Sequence, residues 1–251
     1  MLKSVPVLVF VAVVFLSVDA KAHDNFHKQD KAPKLMTRVP KANLNKHGKL
    51  FVKNYIKKSG SNLSSIQRKS DIPFNIIDSI FTLQGLPLEL KYLAVIESEL
   101  KSSARSHVGA VGPWQLMPGT ARILGLKVSR RVDERKNYYK STRAAAVYLK
   151  DLYHEFNDWF LVLAAYNGGP GPVYSAIRKS GSRNFWKLQA YLPRESRDHV
   201  KKFIATRYFF EGAKREPVLA NAAKDANVKT KAVDTTNTQQ PLSNEQVIVK
   251  E

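Results

Sequence analysis

Between Leu86 and Lys101 the residues Leu86, Leu90, Leu93, Ala94 and Glu97 fall on one face of a helix, and Glu99, two positions on, points nearly the opposite way. Glu97 is thus expected as a carboxylate carried on an apolar stripe close to a helix C-terminus. Desolvation and the negative end of the helix dipole both oppose its charged form. A general acid working near neutral pH requires such a setting. The same pattern also fits a buried glutamate paired with Arg105 or Arg197, because ion-pair networks perturb carboxylates as well.

The segment Ser106 to Ala121 combines several glycines with Trp114, Gln115 and Met117. Glycine lets backbone approach a ligand closely. A glutamine can bond an acetamido group or a hydroxyl, and Trp and Met offer flat apolar surface to a sugar face. Farther on, Ala164-Ala165-Tyr166-Asn167-Gly168-Gly169 closes an apolar helix with a Tyr–Asn pair at a Gly turn, which is also how an ordinary helix C-cap reads. His23 and His27, four residues apart, could share a helix face, but two solvated histidines in a polar arm account for them, and no metal site follows.

The elements that must position these residues are helical. Phe51, Tyr55 and Ile56 recur at helical spacing, as do Ile72, Ile76, Ile77, Ile80 and Phe81. Gly85 and Pro87 mark the end of one helix and the start of the next, over 86–101. Further helices are predicted at 118–125, 141–156, 158–166, 171–180 and 195–213, and alternating strand patterns are scarce. The fold class is therefore mainly α. Residues 1–22 are expected to be a signal peptide, 23–42 a basic flexible arm, 43–212 the helical domain with its chemistry in 86–212, and 213–251 a disordered tail rich in Ala, Asn, Thr, Gln and Lys.

Composition limits the chemistry. The 251 residues contain no Cys, which excludes disulfides, thiolate metal sites, iron–sulfur clusters and a thiol nucleophile. Lys and Arg number 41 against 21 acids, a net charge of +20. Half of that excess lies between His23 and Lys69, where twelve basic residues face only Asp24 and Asp30. Such a stretch suits a polyanionic partner: nucleic acid, anionic lipid or a carboxylate-rich cell wall. Lys3, the apolar run Val5 to Val18 and the small-residue site Ala20-Lys21-Ala22 predict cleavage and export, to the periplasm or cell envelope. Export argues against nucleic acid as the partner, and no later segment is apolar enough to anchor the chain in a membrane.

Glu97-Ser98, then Gly112-x-x-Gln115-x-Met117-Pro118, then Ala165-Tyr166-Asn167-Gly168-Gly169, in this order and spacing, resemble the catalytic domain of soluble-type lytic transglycosylases. These are murein-cleaving enzymes with a goose-type lysozyme-like fold. Trp114 before Gln115, and Leu192-Pro193-Arg194-Glu195-Ser196-Arg197 near the end, look most like the membrane-bound lytic murein transglycosylase D branch. The resemblance implies Glu97 as the single catalytic acid/base. It implies substrate-binding roles for Ser98, Ser106, Gln115, Met117, Tyr166 and Asn167, and for His199, which stands where the family usually has a Tyr. That departure is expected to weaken a substrate contact or shift the pH dependence.

The resemblance further implies cleavage of the β-1,4 bond between N-acetylmuramic acid and N-acetylglucosamine. Protonated Glu97 donates to the bridging oxygen, then takes the proton of the muramoyl C6 hydroxyl as it closes on C1, leaving a 1,6-anhydro end. The nucleophile belongs to the substrate, so proximity replaces the second carboxylate of ordinary glycosidases, and no cofactor is implied. Peptidoglycan strands are the expected partner, and the basic arm is expected to hold the protein electrostatically near the anionic wall. A hydrolytic muramidase of the same fold and a non-catalytic peptidoglycan-binding protein are the two rival readings.

Overall fold

A computed structural model describes Met36 and residues 38–212. The expected signal peptide, most of the basic arm (including His23 and His27) and the C-terminal tail lie outside the described residues. Within them the chain is helical, with isolated β-bridges and no strand, as its hydrophobic periodicity predicts.

Asn45 caps α1 (Lys46–Gln67), its side chain accepting from the Gly48 amide at 2.9 Å. Helix α2 (Asp71–Gln84) ends at Gly85 in the left-handed region, φ 71°. Of the predicted α2 stripe, Ile77, Ile80 and Phe81 are buried, whereas Ile72 is exposed. Pro87 is extended, so the predicted helix over 86–101 forms only as a 3-10 turn at Leu88–Leu90 followed by the short α3 (Lys91–Ser98). After α4 (Pro118–Ile123) come α5 (Tyr138–Phe156), α6 (Trp159–Gly168), α7 (Pro170–Ser180), α8 (Phe185–Leu188) and α9 (Arg194–Glu211).

Helix α6 is the hub. Every residue from Trp159 to Ala165 is buried, as expected of a helix apolar on all sides, and α5, α7 and α9 pack around it. Asp158 caps it, its carboxylate accepting from the amides of Phe160 at 2.7 Å and Leu161 at 3.1 Å. The hub ends at Tyr166 and Asn167. Helix α9 lies against α1, α3 and α6 and buries His199, Val200, Phe203, Ile204 and Phe209. Each large apolar side chain removed from water in this core contributes roughly 1.5–3 kcal/mol.

The packed part of the chain begins earlier than residue 43, the boundary expected from composition. Val39, Ala42 and Leu44 are buried, the Arg207 guanidinium donates to the Val39 carbonyl at 2.9 Å, and Arg38 reaches Glu89 at 3.0 Å. The basic character of the stretch before residue 43 concealed two apolar anchors, Val39 and Ala42.

Candidate active site

The apolar stripe of α3 places Glu97 in the last turn of that helix, with Leu90, Leu93 and Ala94 fully buried before it. Helix α3 stops because Glu99 and Leu100 both take left-handed backbone, φ 56° and 63°, a conformation that costs non-glycine residues of order 1–3 kcal/mol each. Glu99 is turned away, its carboxylate held by Asn62 at 2.8 Å and by Lys101.

Neither Arg105 nor Arg197 is the partner of Glu97. The group facing it is His199 of α9, with Nε2 at 2.9 Å from Oε1 and only 9% and 15% of the two side chains exposed, in the order His199, Glu97. The sequence reading placed His199 on the substrate; the structure places it on the carboxylate. Tyr166, at the end of α6, is the third member of the cluster. Burial pushes its phenol far above the usual range, and the nearby Glu97 charge and Tyr148 push the same way. The Tyr148 and Tyr166 rings lie 5.5 Å apart.

Two consecutive carbonyls of the Gly-rich loop tie the site together. Ser98 donates its hydroxyl to the Pro113 carbonyl at 2.8 Å, shared with the Ala94 carbonyl at 3.0 Å, and Tyr166 donates to the Trp114 carbonyl at 2.7 Å. Ser98 is therefore a buried brace between α3 and the loop. The Tyr166 hydroxyl has spent its one hydrogen and can only accept from a ligand.

Trp114 departs from its expected role as well. It is fully buried, its indole N–H donates to Thr142 at 2.9 Å, and its ring packs 5.6 Å from Phe81. It forms the floor under the loop and offers no face to a sugar. Ser106 accepts from the Ala110 amide at 3.0 Å and so braces the turn, keeping its hydroxyl hydrogen to donate. The Gln115 side chain turns back, its Nε2 donating to the Gly112 carbonyl at 2.9 Å and the Ala104 carbonyl at 3.3 Å, on a left-handed backbone of φ 45°. Met117 projects freely with 43% of its surface exposed, and Asn167 is half-buried beside Tyr166.

What holds this loop is Arg135, which the sequence reading did not single out. Its side chain is 3% exposed and clasps Asp133 through Nε and Nη2, both at 2.8 Å. Its Nη1 donates to the carbonyls of Gly109 and Leu116, both at 2.9 Å. The guanidinium holds the Asp133 carboxyl below the usual range against an opposing desolvation. The loop also crosses the Arg135 backbone so closely that a Cβ on Gly112, φ 86°, would lie 2.0 Å from the Arg135 carbonyl oxygen. An Asp-x-Arg pair within a polar turn was the available signal. A small cavity of about 70 Å³ between residues 39–42 and α9 does not include Glu97.

Residues 81–189 match the family described as "Transglycosylase SLT domain". The chain is 37% identical over 137 residues to "Membrane-bound lytic murein transglycosylase D" of Escherichia coli strain K12, and equally to that of strain O6:H1, covering 53% of this chain and 30% of those proteins. It thus spans about a third of the length of these curated relatives. Among solved structures, it is similar to the 70 kDa soluble lytic transglycosylase Slt70 of Escherichia coli, at 26% identity and a TM-score of 0.48 over 58% of this chain and 25% of that one. It is likewise similar to the lytic transglycosylase Slt of Pseudomonas aeruginosa, at 27% identity and a TM-score of 0.47 over 54% and 23%. Residues 81–189, which carry Glu97, the Gly-rich loop and Tyr166, thus match the transglycosylase SLT domain, and the chain is homologous over 137 residues to membrane-bound lytic murein transglycosylase D.

Proposed function

We propose that this protein is an exported peptidoglycan lytic transglycosylase that cleaves the β-1,4 bond between N-acetylmuramic acid and N-acetylglucosamine and leaves 1,6-anhydro ends. The observation that carries the reading is one part-buried carboxylate, Glu97, which lies within the residues that match the transglycosylase SLT domain and is held at 2.9 Å by a histidine. Four other carboxylates are engaged elsewhere: Glu89 with Arg38 and Arg207, Glu99 with Asn62 and Lys101, Asp133 with Arg135, and Asp198 with Arg194 and Lys201.

In this reading Glu97 acts first as acid toward the bridging oxygen and then as base toward the muramoyl C6 hydroxyl. Met117 supplies apolar surface to a sugar face. Tyr166 and Asn167 border the N-acetyl group, Tyr166 as acceptor. Ser106 and the outer edge of Gln115 line the loop side of the subsites. The signal peptide at 1–22 delivers the chain to the envelope, and the basic arm at 23–42 holds it near the anionic wall by a salt-dependent attraction.

Digestion of purified sacculi with the protein, followed by mass analysis of the sugar ends, tests the reaction. Anhydro ends are expected, and reducing ends would assign a hydrolytic muramidase instead. Equal clearing of a murein suspension by the wild type and Glu97→Gln would leave a binding protein and remove the enzyme reading. Deleting residues 23–41 and measuring co-sedimentation with sacculi across a salt series tests the arm, which fails if binding is unchanged and salt-independent.

A further inference from the structure

The 2.9 Å contact between His199 Nε2 and Glu97 Oε1 admits two placements of the imidazole hydrogen, and the far side of the ring chooses between them. His199 Nδ1 is buried and has no hydrogen-bond partner among the described residues. A hydrogen on Nδ1 would be a buried donor with nothing to receive it, while Oε1 would face a bare nitrogen lone pair whenever Glu97 is ionised. Both are costly arrangements. With the hydrogen on Nε2, the donor meets an oxygen acceptor at good distance and only a lone pair is left without a partner.

We infer that His199 is a positioning residue for Glu97: fixed as the Nε2–H tautomer, it pins Oε1 and leaves Oε2 as the single atom that carries the acid/base proton. The inference rests on the reading of Glu97 as acid/base and adds to it a residue and a choice of atom. A free carboxyl presents either oxygen by rotation about its broad terminal torsion. A donor held on one oxygen from another helix stops that exchange and aims the second. In the first step the Oε2–H bond breaks, its proton passes to the bridging oxygen, and the C1–O bond opens with its electron pair staying on that oxygen. In the second step the C6 hydroxyl oxygen bonds to C1 as its proton passes to Oε2. The hydrogen on His199 stays on Nε2 throughout, so protons and electrons balance without a co-reactant.

The test uses the full chain and solubilised glycan strands. His199→Phe, which removes the donor, is expected to lower kcat by about 10- to 100-fold with KM within about twofold, the loss typical of a misaimed reacting group. His199→Gln, whose side-chain N–H reaches a similar place, is expected to restore kcat to within about fivefold of wild type, a loss near 1 kcal/mol. Equal losses in the two variants, a wild-type kcat in His199→Phe, or a defect confined to KM would overturn the proposal, the last by making His199 a substrate contact. Nitrogen-15 NMR of the wild-type imidazoles decides the tautomer without any activity and without a folded Phe variant. An Nε2–H pattern for His199 is expected, and an Nδ1–H pattern overturns the proposal. Should Glu97→Gln prove as active as wild type, the acid/base reading falls by that result alone, whichever tautomer the spectrum reports.

Discussion

Replacing Arg135 by alanine is expected to loosen the loop that carries Gln115 and Met117 before it touches any other part of the fold. The substitution deletes four hydrogen bonds, two to Asp133 and one each to the carbonyls of Gly109 and Leu116. The Leu116 carbonyl keeps a bond from the Val111 amide at 3.2 Å. Asp133 is left with a carboxylate only 14% exposed, without its guanidinium and with only the smaller pull of Lys136. Counting each charge-assisted bond at ~1.5–3 kcal/mol would overshoot, because water enters the vacated space. Breaking one side of a buried ion pair gives the better scale, about 3–5 kcal/mol. For a domain of this size each kcal/mol lowers the melting temperature by roughly 2–4 °C, so a drop of about 10 °C is expected by calorimetry. Arg135→Lys keeps the charge but loses the fork and falls between the two.

A double-mutant cycle with Asp133→Ala isolates the pair. The two single losses are expected to exceed the double loss by at least about 1 kcal/mol. The pH dependence has a definite sign. The guanidinium holds the Asp133 carboxyl below its ordinary value, so this stabilisation is complete above about pH 4 and is lost as pH falls through the lower folded value. The wild type is expected to show that acid-side loss and Arg135→Ala to lack it. A cost under about 1 kcal/mol with simple additivity would refute the view of Arg135 as the loop's anchor.

Other expectations follow from single contacts. A Cβ on Gly168 would lie 2.4 Å from Ser196 Oγ but 3.6 Å from Ser196 Cβ, so Gly168→Ala is expected to cost about 1–3 kcal/mol in urea unfolding. Ser196→Ala in the same chain should recover at least half of that, and a Gly168→Ala single mutant as stable as wild type would contradict the geometry. Burial pushes the Asp158 carboxyl up, so its share of stability is complete below about pH 4 and lost as pH rises through the folded value. Asp158→Asn keeps the cap of α6 and removes that loss at neutral pH, whereas Asp158→Ala should cost about 1 kcal/mol, both read from melting temperatures. Burial raises the phenols of Tyr55, Tyr92, Tyr148 and Tyr166 and pushes Tyr138 up to about 12. An alkaline titration of phenolate absorbance should therefore stay short of the ten tyrosines present until the fold is lost, and full ionisation near pH 10 with the fold intact would count against it.

Local periodicity and ordered motifs made much of this molecule legible. The stripe ending in Glu97 and the all-apolar run of α6 both appear as read, because each is set by neighbours three or four residues away. The helix over 86–101 was read too long, since Pro87 and the left-handed pair Glu99-Leu100 act on backbone torsions that a hydrophobic pattern does not register. Trp114 was read as a sugar platform because an indole in a Gly-rich loop suits either role; its partner Thr142 lies 28 residues away. The largest omission is the contact of Glu97 with His199 across 102 residues. Nothing local to either residue encodes it, because it arises only when α9 closes over α3.

The strained turn after Glu97 explains why the site sits on so short a helix. Two successive left-handed residues cost a few kcal/mol together, and the structure returns that energy through ties made only in this conformation. The Leu100 amide reaches the Ala94 carbonyl at 3.3 Å, the Glu99 carboxylate takes hydrogen bonds from Asn62 and Lys101, and the Leu100 carbonyl accepts from the Tyr138 hydroxyl. Had α3 continued for another turn, the chain could not double back, and the Pro113 carbonyl could not meet Ser98 nor the Trp114 carbonyl meet Tyr166. Ending the helix at Ser98 brings α3, the Gly-rich loop and the end of α6 to one point. Glu97 is left one residue from that junction, with α9 supplying the donor on its other side.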